Sequence, residues 1–227
     1  MKVKLYHFWS DTASQRIRMA LAYKQVNYED KPLSYWDDET FFELGIARQV
    51  PVLVGVAEQS LTNSEEILWQ IDELFPDTPP LIKGLVDEAD WQALLQWRHS
   101  VDAVLSRLLA PALLSYRDIS EDQGAVEQFK QSVKQKYGLS AEALANDRYA
   151  SYEQFSTITR LPELARHLAQ NRFYLSQISA ADILITADLY PLQCLDGVSL
   201  PIDFLYYMQR VADTCNIDMQ EGLTARI

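Results

Sequence analysis

The chain has 227 residues, with 20 Lys and Arg against 32 Asp and Glu and a formal net charge of -12. Its 48% hydrophobic and 23% charged residues suit a folded chain of one large or two small domains rather than a disordered one. The acidic balance argues against a nucleic-acid partner, which needs clustered Lys and Arg, and against anionic membrane surfaces.

The elements predicted in chain order change character near residue 76. Lys2 to Phe8 alternates polar and apolar side chains, as a half-buried strand does. Asp11, Thr12 and Ser14 offer N-caps for a helix through about Lys24, with Ile17, Ala20 and Leu21 on one face. Val26 to Pro32 can form a second strand. Pro51 to Val56 can form a third, with proline at the entry, where its missing N–H does least harm. A fourth short strand is predicted near Ala57 to Leu61, then a helix capped by Thr62 or Asn63 and carrying Ile67, Leu68, Ile71 and Leu74. The order is βαβ, then ββα.

Phe75-Pro76-Asp77-Thr78-Pro79-Pro80 cannot continue a helix and reads as a linker. Beyond it nearly everything is helical: a long amphipathic stretch over 86–116, kinked or ended at Pro111, then 121–137, 141–155 and 158–170. Ser179 and Asp182 have capping-box spacing ahead of an apolar helix. Pro201 starts a last helix through about Ala212. The expected division is a mixed domain over 1–76, a linker over 77–85 and an all-helical domain over 86–227.

Several chemistries lack their residues. The two cysteines, Cys194 and Cys215, form no CxxC and read as reduced thiols. The three histidines, His7, His99 and His167, lack metal-ligand spacing, so no metal is expected. No GxGxxG, GxxxxGK[ST] or GxSxG occurs among only 7 glycines. The first ten residues hold no apolar signal core, and no run reaches about 18 apolar residues. A soluble, cytoplasmic protein is expected.

Four stretches then make the chain resemble the soluble glutathione S-transferase superfamily. They are Tyr6-His-Phe-Trp-Ser-Asp-Thr-Ala-Ser14-Gln-Arg16-Ile-Arg18, Gln49-Val50-Pro51-Val52-Leu53, Asn63-Ser64-Glu65-Glu66-Ile67, and the Ser179-x-x-Asp182 box. The first is most similar to the zeta-type, maleylacetoacetate-isomerase-like branch. The resemblance implies a thioredoxin-like α/β N-terminal domain followed by an all-α domain, a homodimer, and glutathione as cosubstrate for attack on a small electrophile. It implies that Ser64 holds the γ-glutamyl carboxylate, with Asn63 on the ammonium or backbone. It also implies a cis Val50–Pro51 bond whose Val50 pairs with the cysteinyl unit, and Gln49 near the glycyl end.

The residues supply a physical rationale for part of this. A hydroxyl beside free amides at a helix N-terminus, as at Ser64, suits a carboxylate, although such a serine can equally be only a cap. The thiol activator is where the chain departs from the family's pattern. Ser-type relatives place their hydroxyl where Asp11 stands, and a carboxylate there raises a thiol pKa. Tyr6 lies on the strand. Ser10, Thr12 and Ser14 remain as hydroxyl candidates, Thr12 first among them, while Asp11 or Thr12 can instead simply cap the helix. Cysteine-type relatives carry Cys in this turn, and none stands here. Trp9, Tyr35, Trp36, Trp91, Trp97 and Tyr116, with Arg98 and His99, are candidate pocket residues, although such aromatics are more often core or dimer contacts. Two other readings stay open: a non-catalytic binding or regulatory protein, favoured by Asp11, and a glutathione-dependent isomerase.

Overall fold

A computed structural model of the chain describes residues 2–225; residues 1, 226 and 227, the ends of the two expected domains, lie outside the described residues. Strand β1 (Lys4–His7) is the middle of a three-stranded sheet. It pairs in parallel with β2 (Glu29–Pro32) and antiparallel with β3 (Val52–Val54). The crossover between the parallel strands is α1 (Thr12–Tyr23), as such a pair requires. Pro32 ends β2 at the sheet edge, where a missing donor costs no ladder bond.

The predicted fourth strand shrinks to one bridge, in which Leu53 and Leu61 exchange N–H···O bonds of 2.8 and 2.9 Å. Gly55 explains the break. Its φ is +88°, and a Cβ there would stand 2.6 Å from the Lys2 carbonyl oxygen, so the chain leaves β3 at a position only glycine fills. A short helix absent from the sequence expectation, α2 (Glu39–Leu44), fills the connection from β2 to β3 and ends at Gly45 in the left-handed conformation. Then follow α3 (Ser64–Trp69) and α4 (Ile71–Leu74).

The linker is held by a partly buried charge pair. Asp72 of α4 accepts from the amides of Leu81, Ile82 and Lys83 and from Lys24 Nζ at 2.6 Å. Burial pushes the Asp72 carboxyl up, but the Lys24 ammonium and the three amides outweigh it and leave it below its ordinary value. Helix α5 (Glu88–Leu109) follows, with Asp87 as its cap. The predicted stretch to residue 116 ends at Leu109; Pro111 precedes a 3-10 turn (Ala112–Ser115) and the single-turn α6 (Arg117–Ser120). Helix α7 (Gln123–Tyr137) matches its expectation within two residues.

The predicted 141–155 helix is two, α8 (Ala141–Asn146) and α9 (Arg148–Thr159), broken at Asp147. The Asp147 carboxylate accepts from Arg107 of α5 at 2.9 Å instead of sitting in a continuous helix. Helix α10 (Leu161–Gln170) starts where Pro162 fits the first turn and Arg160, at φ 52°, interrupts the preceding helix. The last helices are α11 (Ala180–Leu189), followed by a 3-10 turn (Tyr190–Cys194), and α12 (Ile202–Cys215).

Every residue of α11 is buried, which is why it reads as apolar all round. It is the centre of the molecule, packing on α1 and α12. Its start is fixed by Asp182, which is fully buried and accepts from Ser179 N–H at 2.9 Å, Ser179 Oγ at 3.1 Å, Tyr174 N–H at 2.7 Å and the Tyr207 hydroxyl at 2.8 Å. The capping role read from the spacing is therefore enlarged to a junction of α11, α12 and the loop before α11. Replacing Asp182 by Ala orphans these donors, and the expected loss is about 3 kcal/mol or more; urea unfolding with an unchanged m-value checks it.

Candidate functional site

Between the two halves lies a cavity of about 700 Å³. One wall is the β1–α1 turn (Ser10, Asp11, Thr12) with the start of α3 (Asn63, Ser64, Glu65). Helix α5 faces it with Arg98, Asp102, Ser106 and Leu109, residues three or four apart and so on one helical face. Phe129 and Val133 of α7 make the far end apolar, and Ser132 and Lys136 add polar groups.

The floor is a buried ion cluster. Arg16, on α1, gives Nε and Nη2 to the two oxygens of Asp188, both at 2.7 Å. Arg98 gives Nε to the same carboxylate and Nη1 to Asp102 at 2.6 Å. Asp188 is completely buried and Arg16 nearly so. This bidentate geometry, with a second cation on the same anion, is the arrangement that offsets the desolvation of buried charge.

Arg16 also orients the serine above it. Its Nη1 donates to Ser64 Oγ at 3.1 Å. A guanidinium has no acceptor, so Ser64 must give its own proton elsewhere; no acceptor for it stands among the described residues, and Ser64 lines the cavity. The cap of α3 falls to Asn63. Its Oδ1 accepts from Glu65 and Glu66 N–H, its Nδ2 donates to Glu66 Oε1 at 2.9 Å, and its carbonyl accepts from Ile67. The Asn63 side chain is thus occupied with its own helix, one of the two caps expected for it. Val50–Pro51 is a cis peptide, and neither the N–H nor the carbonyl of Val50 bonds another described backbone group. Gln49 Nε2 reaches Thr62 Oγ1 at 3.0 Å. Gln49, Val50 and Pro51 stand outside the cavity lining itself.

The hydroxyls of the turn separate clearly. Asp11 is the N-cap of α1, accepting from Ser14 N–H at 2.6 Å. Burial raises its carboxyl above the ordinary value, against the pull of Ser14 and Arg16. Ser14 is fully buried and is not part of the cavity wall. Ser10 reaches the cavity, but its hydroxyl donates to Asp118 of α6 at 2.6 Å. Thr12, the first residue of α1, lines the cavity with no hydrogen bond on its hydroxyl among the described residues.

Of the aromatic candidates, Tyr35 reaches the cavity, with its hydroxyl 3.3 Å from Ser132 Oγ. Trp9 lies under the Arg18 guanidinium, 4.1 Å from the ring centroid. Trp91 is buried and stacks on Trp69, Tyr116 is buried, Trp36 is exposed outside the cavity, and Trp97 lies elsewhere on α5. Arg98 and His99 both line it, and His99 Nε2 is 2.9 Å from Glu65. The roles of Arg16, Asp102, Asp118 and Asp188 were not anticipated. Asp188 left a faint signal, as a carboxylate in an apolar helix; Asp118, on a single-turn helix, left none.

The chain's sequence matches two family descriptions. Residues 93–222, more than half of the chain, match "Glutaredoxin 2, C terminal domain", and residues 1–73 match "Glutathione S-transferase, N-terminal domain". The chain belongs to the glutathione S-transferase superfamily, with a C-terminal half of the glutaredoxin 2 type. Among curated relatives, a probable maleylacetoacetate isomerase of Caenorhabditis elegans is 35% identical over 96 residues, 41% of this chain and 44% of that protein. FtsZ-localized protein A of Caulobacter vibrioides is 31% identical over 97 residues, 41% of this chain and 42% of that protein. The match spans less than half the length of each of these two relatives. In overall fold it is similar to glutaredoxin 2 from Salmonella typhimurium in complex with glutathione, with a TM-score of 0.78 at 20% identity over 98% of this chain and 99% of that one.

This superfamily member has no cysteine in its β1–α1 turn. Its two thiols are free, and burial pushes Cys194 up to about 11 and Cys215 to about 12, the direction that makes a thiol inert. Among the described residues no cluster suits a metal, and no helix is long and apolar enough to cross a membrane. Removing the Asp188 carboxylate leaves two arginines facing each other under the cavity. Asp188→Ala is expected to cost about 3–5 kcal/mol, read by chemical denaturation, whereas Lys136→Ala at the rim stays within about 0.5 kcal/mol of the parent.

Proposed function

We propose that the protein binds glutathione in this cavity and directs its thiolate at a small electrophile held against α5 and α7. The observation that carries the reading is the Ser64 hydroxyl, which lines the cavity, accepts from Arg16 and has no described acceptor for its own proton. A carboxylate is the natural partner for such a donor, and the Arg16 charge beneath it adds attraction. In this reading Ser64 takes the γ-glutamyl carboxylate, and the unoccupied backbone of Val50 pairs with the cysteinyl unit as an added strand would. Gln49 serves the glycyl end, and Asn63 acts by holding the start of α3 in place.

The sulfur then falls by the turn, where the Thr12 hydroxyl is the available donor. A free thiol has a pKa of about 8.5, and lowering it by about two units takes roughly 2.7 kcal/mol of preference for the thiolate. A hydroxyl bond and the N-terminal pole of α1 are of that order together. Asp11 opposes this through its charge, although its carboxylate is committed to the Ser14 amide and burial favours its neutral form. Catalysis is then positioning and thiolate stabilisation, with the protein forming no covalent intermediate. The same site serves a glutathione-dependent isomerase, in which the thiolate adds, the adduct rearranges and the thiolate leaves again. The apolar far end, with Phe129 and Val133, suits the body of the electrophile. A homodimer and a cytoplasmic location belong to the same reading.

Asp11 favours a second reading, a binding module on the same fold without turnover. Calorimetry of glutathione binding between about pH 6 and 9, where a bound thiol titrates, separates the two. Binding with proton release near neutral pH is expected. Ser64→Ala should weaken binding by roughly tenfold or more, the worth of a hydrogen bond to a charged group. Thr12→Ala should keep binding and lose the proton release. Binding with no proton release at any pH would leave the module reading, and absence of binding would sink both glutathione roles.

A further inference from the structure

Asp118 is 5% exposed, and a single residue 108 positions earlier takes both of its carboxylate oxygens. Ser10 N–H donates to Oδ1 at 3.1 Å and Ser10 Oγ to Oδ2 at 2.6 Å. The Asp118 carbonyl accepts from Tyr35 N–H at 2.8 Å, so α6 grips two loops of the N-terminal half. The C-terminal segment holds α6 in turn. Arg117 N–H donates to the Gly222 carbonyl at 2.9 Å, and Gly222 lies so close to Trp9 that a Cβ would stand 2.6 Å from the Trp9 Cβ.

No cation pairs with Asp118 among the described residues. Arg117 sends Nε to the Leu223 carbonyl and lies 3.8 Å from Glu121. From the β1–α1 turn Asp11 adds repulsion. The Tyr116 phenol is kept neutral by burial, the Tyr35 hydroxyl stands by Ser132, and Glu221 of the C-terminal segment pairs with Arg18. Helix α7 meets α6 through apolar Phe129 and Val133 against Ile119. Burial, against the pull of both Ser10 bonds, pushes the Asp118 carboxyl up to about 6.

Ser10 also lines the cavity, and a hydroxyl has one proton to give. We propose that Asp118 is a positioning residue that sets the direction of that proton. As a carboxylate it takes the Ser10 proton away from the cavity. As a neutral acid it gives its own proton to Ser10 Oγ and turns the Ser10 O–H outward to the ligand. Ser10 N–H keeps its bond to Oδ1 in both states, so the turn stays in place while its donor changes sides. This rests on the reading that glutathione occupies the cavity with its sulfur by this turn.

The test is glutathione affinity at about pH 5 and pH 7, with the wild type and Asp118→Asn each expressed as a ratio to Ser10→Ala, so that the bound thiol's own ionisation, which favours binding at the higher pH, divides out. The wild-type ratio should be roughly fivefold at pH 5, as one more hydrogen bond warrants, and close to unity at pH 7, with the change centred near 6. Asp118→Asn, whose Nδ2 can donate to Ser10 Oγ, should keep the higher ratio at both pH values. A wild-type ratio that is the same at both pH values, or an Asp118→Asn ratio that changes between them, overturns the proposal. If the wild type does not bind glutathione, the functional reading fails; the carboxyl carbon resonance of Asp118 in the ligand-free protein then decides the coupling. Its midpoint should rise further in Ser10→Ala, and an unchanged midpoint overturns the coupling.

Discussion

The pairing of Asp188 with Arg16 and Arg98 is the constraint on which the rest of the structure depends. One carboxylate, completely buried at the end of the central helix α11, is held by a guanidinium from α1 and another from α5. These three helices come from both halves of the chain. Charge taken out of water is tolerated only when its partners are well placed, so the cluster favours one mutual arrangement of α1, α5 and α11. The cavity lies directly above it, and Ser64 owes its orientation to the spare donor of Arg16.

Around this centre, three further ties run between sequence-distant segments, each made by a single carboxylate. Asp72 gathers the linker onto Lys24 at the far end of α1. Asp182 joins α11 to α12. Asp118 fastens the β1–α1 turn to α6. A chain with a net charge of -12 has carboxylates to spare, and three of these four have been taken into the interior, with Asp72 partly buried beside them, each met by more than one donor. The turn that would meet a thiol is therefore shaped from both ends: Asp11 caps the helix it begins, and Asp118 holds the residue before it.

The pattern of elements was largely legible. The period-2 run at β1, the capped helix α1, the proline cluster after α4 and the box at Ser179 are local signals, because strand alternation, caps and proline breaks are decided by residues within about four positions. Short elements were not legible. Helix α2 and the break at Asp147 fall below the length at which periodicity speaks, and the expected fourth strand yielded to Gly55 and its close approach to Lys2. At the site, Ser64 and Thr12 could be singled out because each stands at a helix start within a recognisable motif. That Ser14 would turn into the core and that Ser10 would be claimed by Asp118 could not be read.

By itself, then, the sequence determined the class of fold, the order of its elements, the absence of a turn cysteine, and the set of hydroxyls from which the site could be built. Those follow from composition and from interactions between near neighbours in the chain. Only the tertiary structure decided which hydroxyl keeps its proton for a ligand. Ser10, Thr12, Ser14 and Ser64 are chemically alike as hydroxyls, and what separates them is contact with Asp118, with the core and with Arg16. Those contacts are made across up to 108 residues. Their strength depends on the exclusion of water, a property of the packed interior and not of any local stretch of chain.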